Sequence, residues 1–269
     1  NSVDASWSHT DNGLILYMPF EEGSETSTDD WSSKSNDGSF GGNPQWISGM
    51  SGNGGALSFD GNDDYVSVAH DSSLDEAFGA TETFTISSWI NPNTWVDHGA
   101  ISKAAGDCWS KSTNSLWVYS GGFGCVMGDG NPNACNPAGS FITLTHQPPL
   151  NQWYYVTCTG DGTDLKMYVN GELKGVISIS GITLPRFDNT NPLIIGKRTT
   201  SGSGGISGSV DEVRIYNKAL TQQELIDDMQ SGLITHDLER DSSVISTHLA
   251  DNDFTDSNAN DLSDPGEVT

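Results

Sequence analysis

Carboxylate and side-chain amide groups occur in short runs along this sequence. Oxygens of this kind are the preferred ligands of hard cations, and Ca²⁺ takes roughly six to eight of them. We predict one Ca²⁺ site from Glu21, Asp30, Asn36, Asp37 and Asp211, and a second candidate from Asp60, Asn62, Asp63 and Asp64. Neither set has EF-hand spacing. The alternative is that these residues serve only turns, through hydrogen bonds between their side chains and the backbone.

The residues needed for hydrolysis do not occur at catalytic spacing. Glycoside hydrolysis needs two carboxyl groups about 5–9.5 Å apart, and residues two apart on a strand share a face. No Glu-x-Asp-x-Glu run is present, and we expect the adjacent Asp211 and Glu212 to point to opposite faces. Residues 205–208 lack Gly-x-Ser-x-Gly spacing, and the six histidines stand singly. The sequence therefore predicts that the protein is not an enzyme.

Aromatic residues near predicted loops could bind sugars. Sugar rings stack on aromatic faces, while polar side chains bond their hydroxyl groups. The candidates are Trp95, Trp109, Trp117 and Tyr119, together with the loop residues Asp129, Asn131 and Asn133. For Trp95 and Trp109 the alternative is a place in the core, and for Trp117 the core is the place that we favour. The set predicts a carbohydrate ligand.

Four cysteines lie close together in the sequence, at Cys108, Cys125, Cys135 and Cys158. They lack the CxxC spacing of structural zinc sites, so two disulfides are the better interpretation, and three pairings are open. We favour Cys125–Cys135 with Cys108–Cys158, because the first bond closes a tight loop. Buried free thiols in a cytosolic protein are the alternative.

Acidic residues outnumber basic ones by 36 to 11, which gives a formal net charge of −25. This charge repels a phosphate backbone, so we exclude nucleic acid as a partner. No apolar stretch approaches the roughly 18–20 residues of a membrane-spanning helix, so we expect no membrane insertion. The chain begins with Asn1 and not with Met. We therefore expect the trimmed product of an exported precursor, secreted or held at the cell surface.

Alternation of apolar and polar residues predicts a series of short strands. Asn170-Gly171, between two of them, is typical of a β-hairpin turn. Thr221 and Glu224 form a capping box that predicts one short helix ending at Gly232. The predicted strands are Leu14–Phe20, Ala56–Phe59, Tyr65–Val68, Phe84–Ile90, Gly99–Lys103, Ser115–Tyr119, Gly124–Met127, Phe141–Thr145, Trp153–Thr159, Lys166–Asn170, Glu172–Ile179, Leu193–Lys197 and Gly208–Asn217.

Several blocks carry a family pattern: Gly13–Gly23, Asp30–Gly38, Leu57–Val66, Phe84–Ile90, Leu150–Val156, Tyr168–Leu173 and Gly208–Leu220. In this order they resemble laminin-G-like modules. The resemblance implies an all-β fold, a two-sheet antiparallel jelly-roll β-sandwich of the concanavalin-A and laminin-G type with one short C-terminal capping helix. It assigns residues 13–232 to the sandwich, 1–12 to an N-terminal extension and 233–269 to an acidic tail. Function does not follow from the fold, which hosts both lectins and enzymes.

The acidic tail contains a degenerate copy of the opening motif. Residues 253–261 resemble the start of another such module, and an apolar segment precedes them. We predict an assembly strand from Val244, Ile245, Leu249 and Phe254. Such a strand could pair with the open sheet edge of a neighbouring copy. A disordered acidic linker is the alternative.

Two functions of different classes follow from these features. The first is a non-catalytic extracellular recognition or adhesion module, supported by Ca²⁺, that binds glycans or a matrix or cell-surface polymer. The second is a structural subunit of an extracellular filament, built from copies of itself by strand exchange through the tail. We favour the first.

Overall fold

Strands of alternating polarity account for most of the chain's regular structure. The structure, a computed structural model, describes residues 13–50, 54–78, 83–95, 98–104, 112–128, 141–180, 190–202 and 204–231. Its helices are α1 (Ser72–Phe78) and α2 (residues 222–231). Its strands are β1 (Leu14–Met18), β2 (Ser27–Thr28), β3 (Gly38–Gly41), β4 (Gln45–Ser48), β5 (Gly55–Asp60), β6 (Tyr65–Val68), β7 (Thr83–Pro92), β8 (His98–Ala104), β9 (Ser112–Tyr119), β10 (Gly122–Gly128), β11 (Phe141–His146), β12 (Tyr154–Asp161), β13 (Asp164–Val169), β14 (Glu172–Ser178), β15 (Leu193–Ile195) and β16 (Ser207–Tyr216).

The strands form two antiparallel sheets of eight strands each. Sheet 1 has the order β14-β13-β12-β7-β16-β5-β4, and β1 also pairs with β16. Sheet 2 has the order β11-β10-β9-β8-β15-β6-β3-β2. Many neighbouring strands come from distant parts of the chain, as in a jelly roll. The predicted two-sheet jelly-roll sandwich is confirmed.

The core lies between the two sheets. Val210, Val213 and Ile215 of β16 face it from sheet 1, and Leu116 and Val118 of β9 face it from sheet 2, all fully buried. Burying one such side chain stabilises the fold by about 1.5–3 kcal/mol. Side chains alternate along a strand, so the residues between these point away from the core. They form the outer faces of the sheets, and other parts of the chain bury some of them, Trp117 and Asp211 among them.

Every strand that the alternation predicts is present, with small shifts at the ends. The structure adds β2, β3, β4 and α1, which the sequence analysis missed. The three strands have two or four residues each. Alternation needs a longer run than this to become visible.

Helix α2 begins where the capping box predicts. The Thr221 hydroxyl accepts a hydrogen bond from the Glu224 N–H at 3.3 Å, and the Glu224 carboxylate accepts one from the Thr221 N–H at 2.7 Å. Leu225 is fully buried and packs against Tyr168 of β13. The helix therefore lies against the outer face of sheet 1.

A disulfide joins the two sheets through the core. Cys125 of β10 is bonded to Cys158 of β12, with the two Cα atoms 5.5 Å apart and both side chains fully buried. The favoured pairing of Cys125 with Cys135 is therefore wrong. Residues 125 and 158 face each other from opposite sheets, a closeness that only the assembled sandwich creates. Cys108 and Cys135 lie outside the described residues.

Two predicted segments, the extension at residues 1–12 and the tail at 233–269, lie outside the described residues. So do the assembly-strand residues Val244, Ile245, Leu249 and Phe254. The filament hypothesis therefore stays a prediction, which the native mass in solution would test. Among the described residues, no helix has the length and apolar character needed to span a membrane.

Candidate functional site

Strands β1 and β5 meet at one edge of β16. Strand β5 pairs with residues 207–210 of β16, and β1 pairs with residues 213–216. The first strand of the chain, β1, thus pairs with the last strand, β16. Asp211 and Glu212 lie in the interval between the two partners, which we call the junction.

A β-bulge at the junction turns two acidic side chains to the same face. Glu212 has a φ of 55°, and the pairing with β7 shifts register between Asp211 and Arg214. Val210 and Val213 both belong to the core, so the two residues between them both point away from it. The expectation that Asp211 and Glu212 face opposite ways is therefore wrong, because a bulge breaks the strand alternation.

Two of the predicted cation ligands meet the β4–β5 loop at this junction. Asp211 is fully buried and accepts the Met50 N–H at 3.0 Å, while the partly buried Glu21 accepts the Gly55 N–H at 3.0 Å. The Gly49 N–H donates to the Gly54 carbonyl at 3.1 Å and closes the loop. Both carboxylates therefore hold the backbone of this loop, and carboxylate oxygen is also the ligand type that a hard cation prefers.

The other three predicted ligands of that set have structural partners. Asp30 accepts hydrogen bonds from the N–H groups of Tyr17, Ser32 and Asn36 and from the Ser32 hydroxyl. Asp37 accepts the Asp30 N–H at 2.9 Å. Asn36 donates to the Ile15 carbonyl at 3.1 Å. These side chains fasten a loop to β1. Of the five predicted ligands, Glu21 and Asp211 contact the β4–β5 loop, and the calcium site stays a prediction.

The second candidate set forms a compact group of carboxylates after β5. One carboxylate oxygen from each of Asp60, Asp63 and Asp64 lies within 4.8 Å of the others. Asp64 is buried and accepts the Asn43 N–H at 2.7 Å. Asp60 accepts both the backbone N–H and the amide of Asn62, and these hydrogen bonds hold the pKa of Asp60 below its ordinary value. Asn62 therefore shapes the turn through its N–H groups, and the second cation site stays a prediction.

An open cleft lies beside this acidic group. Its volume is about 460 Å³, and its lining residues are Gly42, Asn43, Gln45, Ser58, Asp60, Asp63 and Asp64. Strands β4 and β5 contribute Gln45 and Ser58, so the walls are rigid sheet and the rim is turn. The lining side chains are amides, a hydroxyl and carboxylates. All of them can bond the hydroxyl groups of a polar ligand.

The aromatic candidates among the described residues, Trp95, Trp117 and Tyr119, do not form a common surface. Trp117 is fully buried and its ring lies 4.3 Å from the Arg198 guanidinium, so it offers no free face to a sugar. Trp95 is partly buried and packs edge-on against Phe123, with ring centroids 5.1 Å apart. Tyr119 is partly exposed on sheet 2 and stays a prediction. Trp109, Asp129, Asn131 and Asn133 lie outside the described residues.

Buried charges that the sequence analysis missed anchor helix α2 to sheet 1. Arg214 pairs with the carboxylates of Glu212 and Asp228. Asp228 accepts the hydroxyls of Tyr155 and Tyr216, each at 2.8 Å. Burial, together with the charge of Asp228, raises the pKa of both tyrosines well above the ordinary value, so both remain donors. These residues are far apart in sequence and no spacing pattern marks them.

A laminin-G family model, described as the concanavalin A-like lectin/glucanases superfamily, matches residues 60–226, which is more than half of the chain. The chain belongs to the concanavalin A-like lectin/glucanases superfamily. The laminin-G-like resemblance of the sequence blocks is thereby confirmed.

Part of the chain is similar in sequence to a bacterial toxin. Botulinum neurotoxin type C of Clostridium botulinum C phage is 25% identical over 150 residues, which are 54% of this chain and 12% of the toxin. The chain therefore spans only a small part of the relative that it matches.

Solved structures show the same fold at low identity. The binding domain of Paraclostridial Mosquitocidal Protein 1 has a TM-score of 0.61 at 18% identity, covering 80% of this chain and 51% of that one. Domain 4 of AbnA, a GH43 extracellular arabinanase from Geobacillus stearothermophilus, in complex with arabinotriose, has a TM-score of 0.60 at 16% identity. That match covers 80% of this chain and 98% of the AbnA domain.

The concanavalin A-like superfamily includes both lectins and glucanases by name, so the site must decide between them. A glycosidase needs one carboxyl group with a raised pKa as general acid. In the cleft, the pKa of Asp60 is shifted in the opposite direction. At the junction, Glu212 is paired with Arg214 and Asp211 is bonded to the β4–β5 loop. These three carboxylates are therefore all engaged by other groups of the protein.

Proposed function

We propose that the chain is a secreted or cell-surface module that binds carbohydrate without turning it over. The observation that carries this proposal is the open cleft of about 460 Å³ with its lining of amide, hydroxyl and carboxylate groups. Sugars present many hydroxyl groups in fixed directions, and a rigid polar surface can bond several at once. The binding domains among the structural neighbours and the arabinotriose complex of the AbnA domain support the proposal.

The charge of the protein narrows the ligand class. The chain carries a formal charge of −25, and three carboxylates stand at the cleft itself. Sulfated or uronic-acid polymers would be repelled, as would nucleic acid. The ligand is therefore a neutral glycan of a cell surface or extracellular matrix, and binding it supports adhesion.

Calcium has a defined part in this proposal. A Ca²⁺ ion held by Glu21 and Asp211 would fasten the loop between β4 and β5, the two strands that contribute Gln45 and Ser58 to the cleft. The ion would neutralise part of the local negative charge and fix the cleft walls before a sugar arrives. It would act on the cleft's shape and stability and would not touch the sugar.

A glycan array tests the proposed function. The labelled protein is applied to arrays of neutral and acidic glycans, once with Ca²⁺ and once with a chelator. Binding to neutral glycans that weakens with chelator is the expected result. If no glycan is bound in either condition, the carbohydrate-binding proposal is wrong.

Thermal unfolding with and without Ca²⁺ tests the metal assignment. Ligand at about 100 times its Kd stabilises the folded state by roughly 2.7 kcal/mol, so the wild type should melt higher with Ca²⁺. Glu21→Gln should lose this response, and Asp211→Asn should lose it if the variant folds. Asp63→Asn, an exposed member of the acidic group, is the control and should respond like the wild type. If only Asp63→Asn lost the rise in melting temperature, we would conclude that the ion binds at the cleft and not at Glu21 and Asp211.

A further inference from the structure

Four polar side chains lie in register across the outer face of sheet 1. Gln45 pairs with Ser58, Ser58 with Ser209, and Ser209 with Asn91, on strands β4, β5, β16 and β7. The flanking residues Leu57, Phe59, Val210 and Ile90 all belong to the core, which directs these four away from it. We call these four residues the polar row.

The polar row has hydrogen-bonding capacity that the described part of the protein does not use. The hydroxyls of Ser58 and Ser209 make no side-chain hydrogen bond to any described residue, and both residues are partly exposed. The Asn91 Oδ1 atom is buried and has no hydrogen-bond partner within the described structure. A buried polar atom left unpaired costs about 1–3 kcal/mol. Such atoms require an explanation, and a bound ligand or water is the usual one.

An aromatic ring borders the polar row on the same face. Trp89 precedes Asn91 by two residues on β7, so it lies on the outer face as well. The ring is partly exposed and leans on Tyr155, with centroids 5.5 Å apart. Its Nε1 atom is buried and has no hydrogen-bond partner among the described residues. An aromatic ring beside short polar side chains is the usual composition of a sugar-binding surface.

The polar row continues the cleft without a break. Gln45 and Ser58 belong to both, so a ligand in the cleft already touches one end of the row. Neighbouring strands are about 4.8 Å apart, so four strands give a path of roughly 14 Å. The row itself carries no charge, and its cleft end carries Asp60, Asp63 and Asp64.

We infer that the cleft and the polar row form one groove that binds a neutral, unbranched oligosaccharide running across the strands. This inference rests on the proposed carbohydrate-binding function and adds the location and the ligand class. The hydroxyls of Ser58 and Ser209 and the amides of Gln45 and Asn91 bond successive sugar units. Their short side chains leave room for a linear chain, and the carboxylates at the end exclude acidic sugars.

Calorimetric titration with neutral linear oligosaccharides of increasing length, arabinotriose among them, tests the groove. Affinity should rise from mono- to trisaccharide, because each added unit reaches another strand of the row. Ser209→Arg puts a long side chain in the middle of the row and should lower affinity at least about tenfold. Ser178→Arg, on the exposed edge strand β14 of the same sheet, is the matched control and should bind like the wild type.

The outcomes separate this inference from the proposed function. Binding by the wild type that survives Ser209→Arg and Ser58→Arg overturns the groove and leaves carbohydrate binding intact. Absence of binding to every neutral oligosaccharide overturns both. An equal loss of oligosaccharide affinity in Ser209→Arg and Ser178→Arg, with unchanged melting temperatures, also overturns the groove. The loss of affinity would then not depend on the polar row.

Discussion

At the scale of single residues, Arg214 holds a cluster of buried charges together. It lies between Glu212 and Asp228, and its guanidinium also stacks 4.2 Å from the Tyr17 ring. Its side chain is about 5% exposed and that of Glu212 is 0% exposed. Charges this deep in the protein are tolerated only when they are paired.

Replacing Arg214 by Met should therefore be strongly destabilising. The change leaves Glu212 and Asp228 buried without their cation, and breaking a buried pair in this way costs about 3–5 kcal/mol. Urea unfolding of wild type and variant measures the difference. Lys174→Met is the control, because its pair with the exposed Glu172 is worth about 0–1 kcal/mol. Equal effects of the two changes would contradict the structural role of Arg214.

The sequence alone could group some of the candidate residues correctly and not others, and the reason is physical. Glu21 and Asp211 were grouped because both carry carboxylates, and the pairing of β1 with β16 lets both contact the β4–β5 loop. Asp30 and Asn36 have the same kind of side chain, yet Asp30 accepts backbone N–H groups and the Asn36 amide donates to the Ile15 carbonyl. No sequence pattern predicts Ser209 and Asn91 as binding residues. They lie side by side only through the cross-strand register of the folded sheet.

At the scale of elements, the sequence predicted a turn and a helix start correctly. In both cases the residues of one short segment determine its backbone conformation. The turn between β13 and β14 has Asn170 and Gly171 at φ values of 52° and 74°, the left-handed region that such a turn requires. Helix α2 begins at its capping box for the same reason. Strand β4 was not predicted, because it has only four residues and is stabilised mainly by pairing with β5.

The capping box makes part of the stability of α2 depend on pH. Hydrogen bonds from the Thr221 N–H and hydroxyl lower the pKa of Glu224 below its ordinary 4.5. A lowered folded-state pKa adds stability above the unfolded-state value, and this is lost as pH falls through the folded value. The wild type should thus be more stable than Glu224→Ala at neutral pH, and the gap should shrink below pH 4.5.

Glu224→Gln provides the control for this titration. Glutamine can accept the same hydrogen bonds but has no carboxyl group to protonate. The difference in unfolding free energy between Glu224→Gln and Glu224→Ala should therefore stay constant from neutral pH to pH 2. Urea unfolding at several pH values measures all three proteins. A wild-type advantage over Glu224→Ala that stays constant down to pH 2 would contradict the titration of Glu224.

At the scale of the whole molecule, the disulfide between Cys125 and Cys158 ties the two sheets together. Non-reducing peptide mapping should recover these two cysteines in one cross-linked peptide pair. Replacing both with Ala should lower the free energy of unfolding by about 2–4 kcal/mol, because the unfolded chain loses a constraint. A peptide linking Cys125 to Cys135 would contradict the arrangement of β10 and β12.

The central claim for the whole molecule is that the outer face of sheet 1, at β4 and β5, binds a neutral glycan. The most direct measurement is a crystal structure of the protein with the tightest-binding neutral trisaccharide. We expect the sugar in the cleft beside Asn43, Gln45 and Ser58, extending toward Ser209 and Asn91. A sugar bound on sheet 2 beside Tyr119, with this cleft open to solvent, would contradict the account.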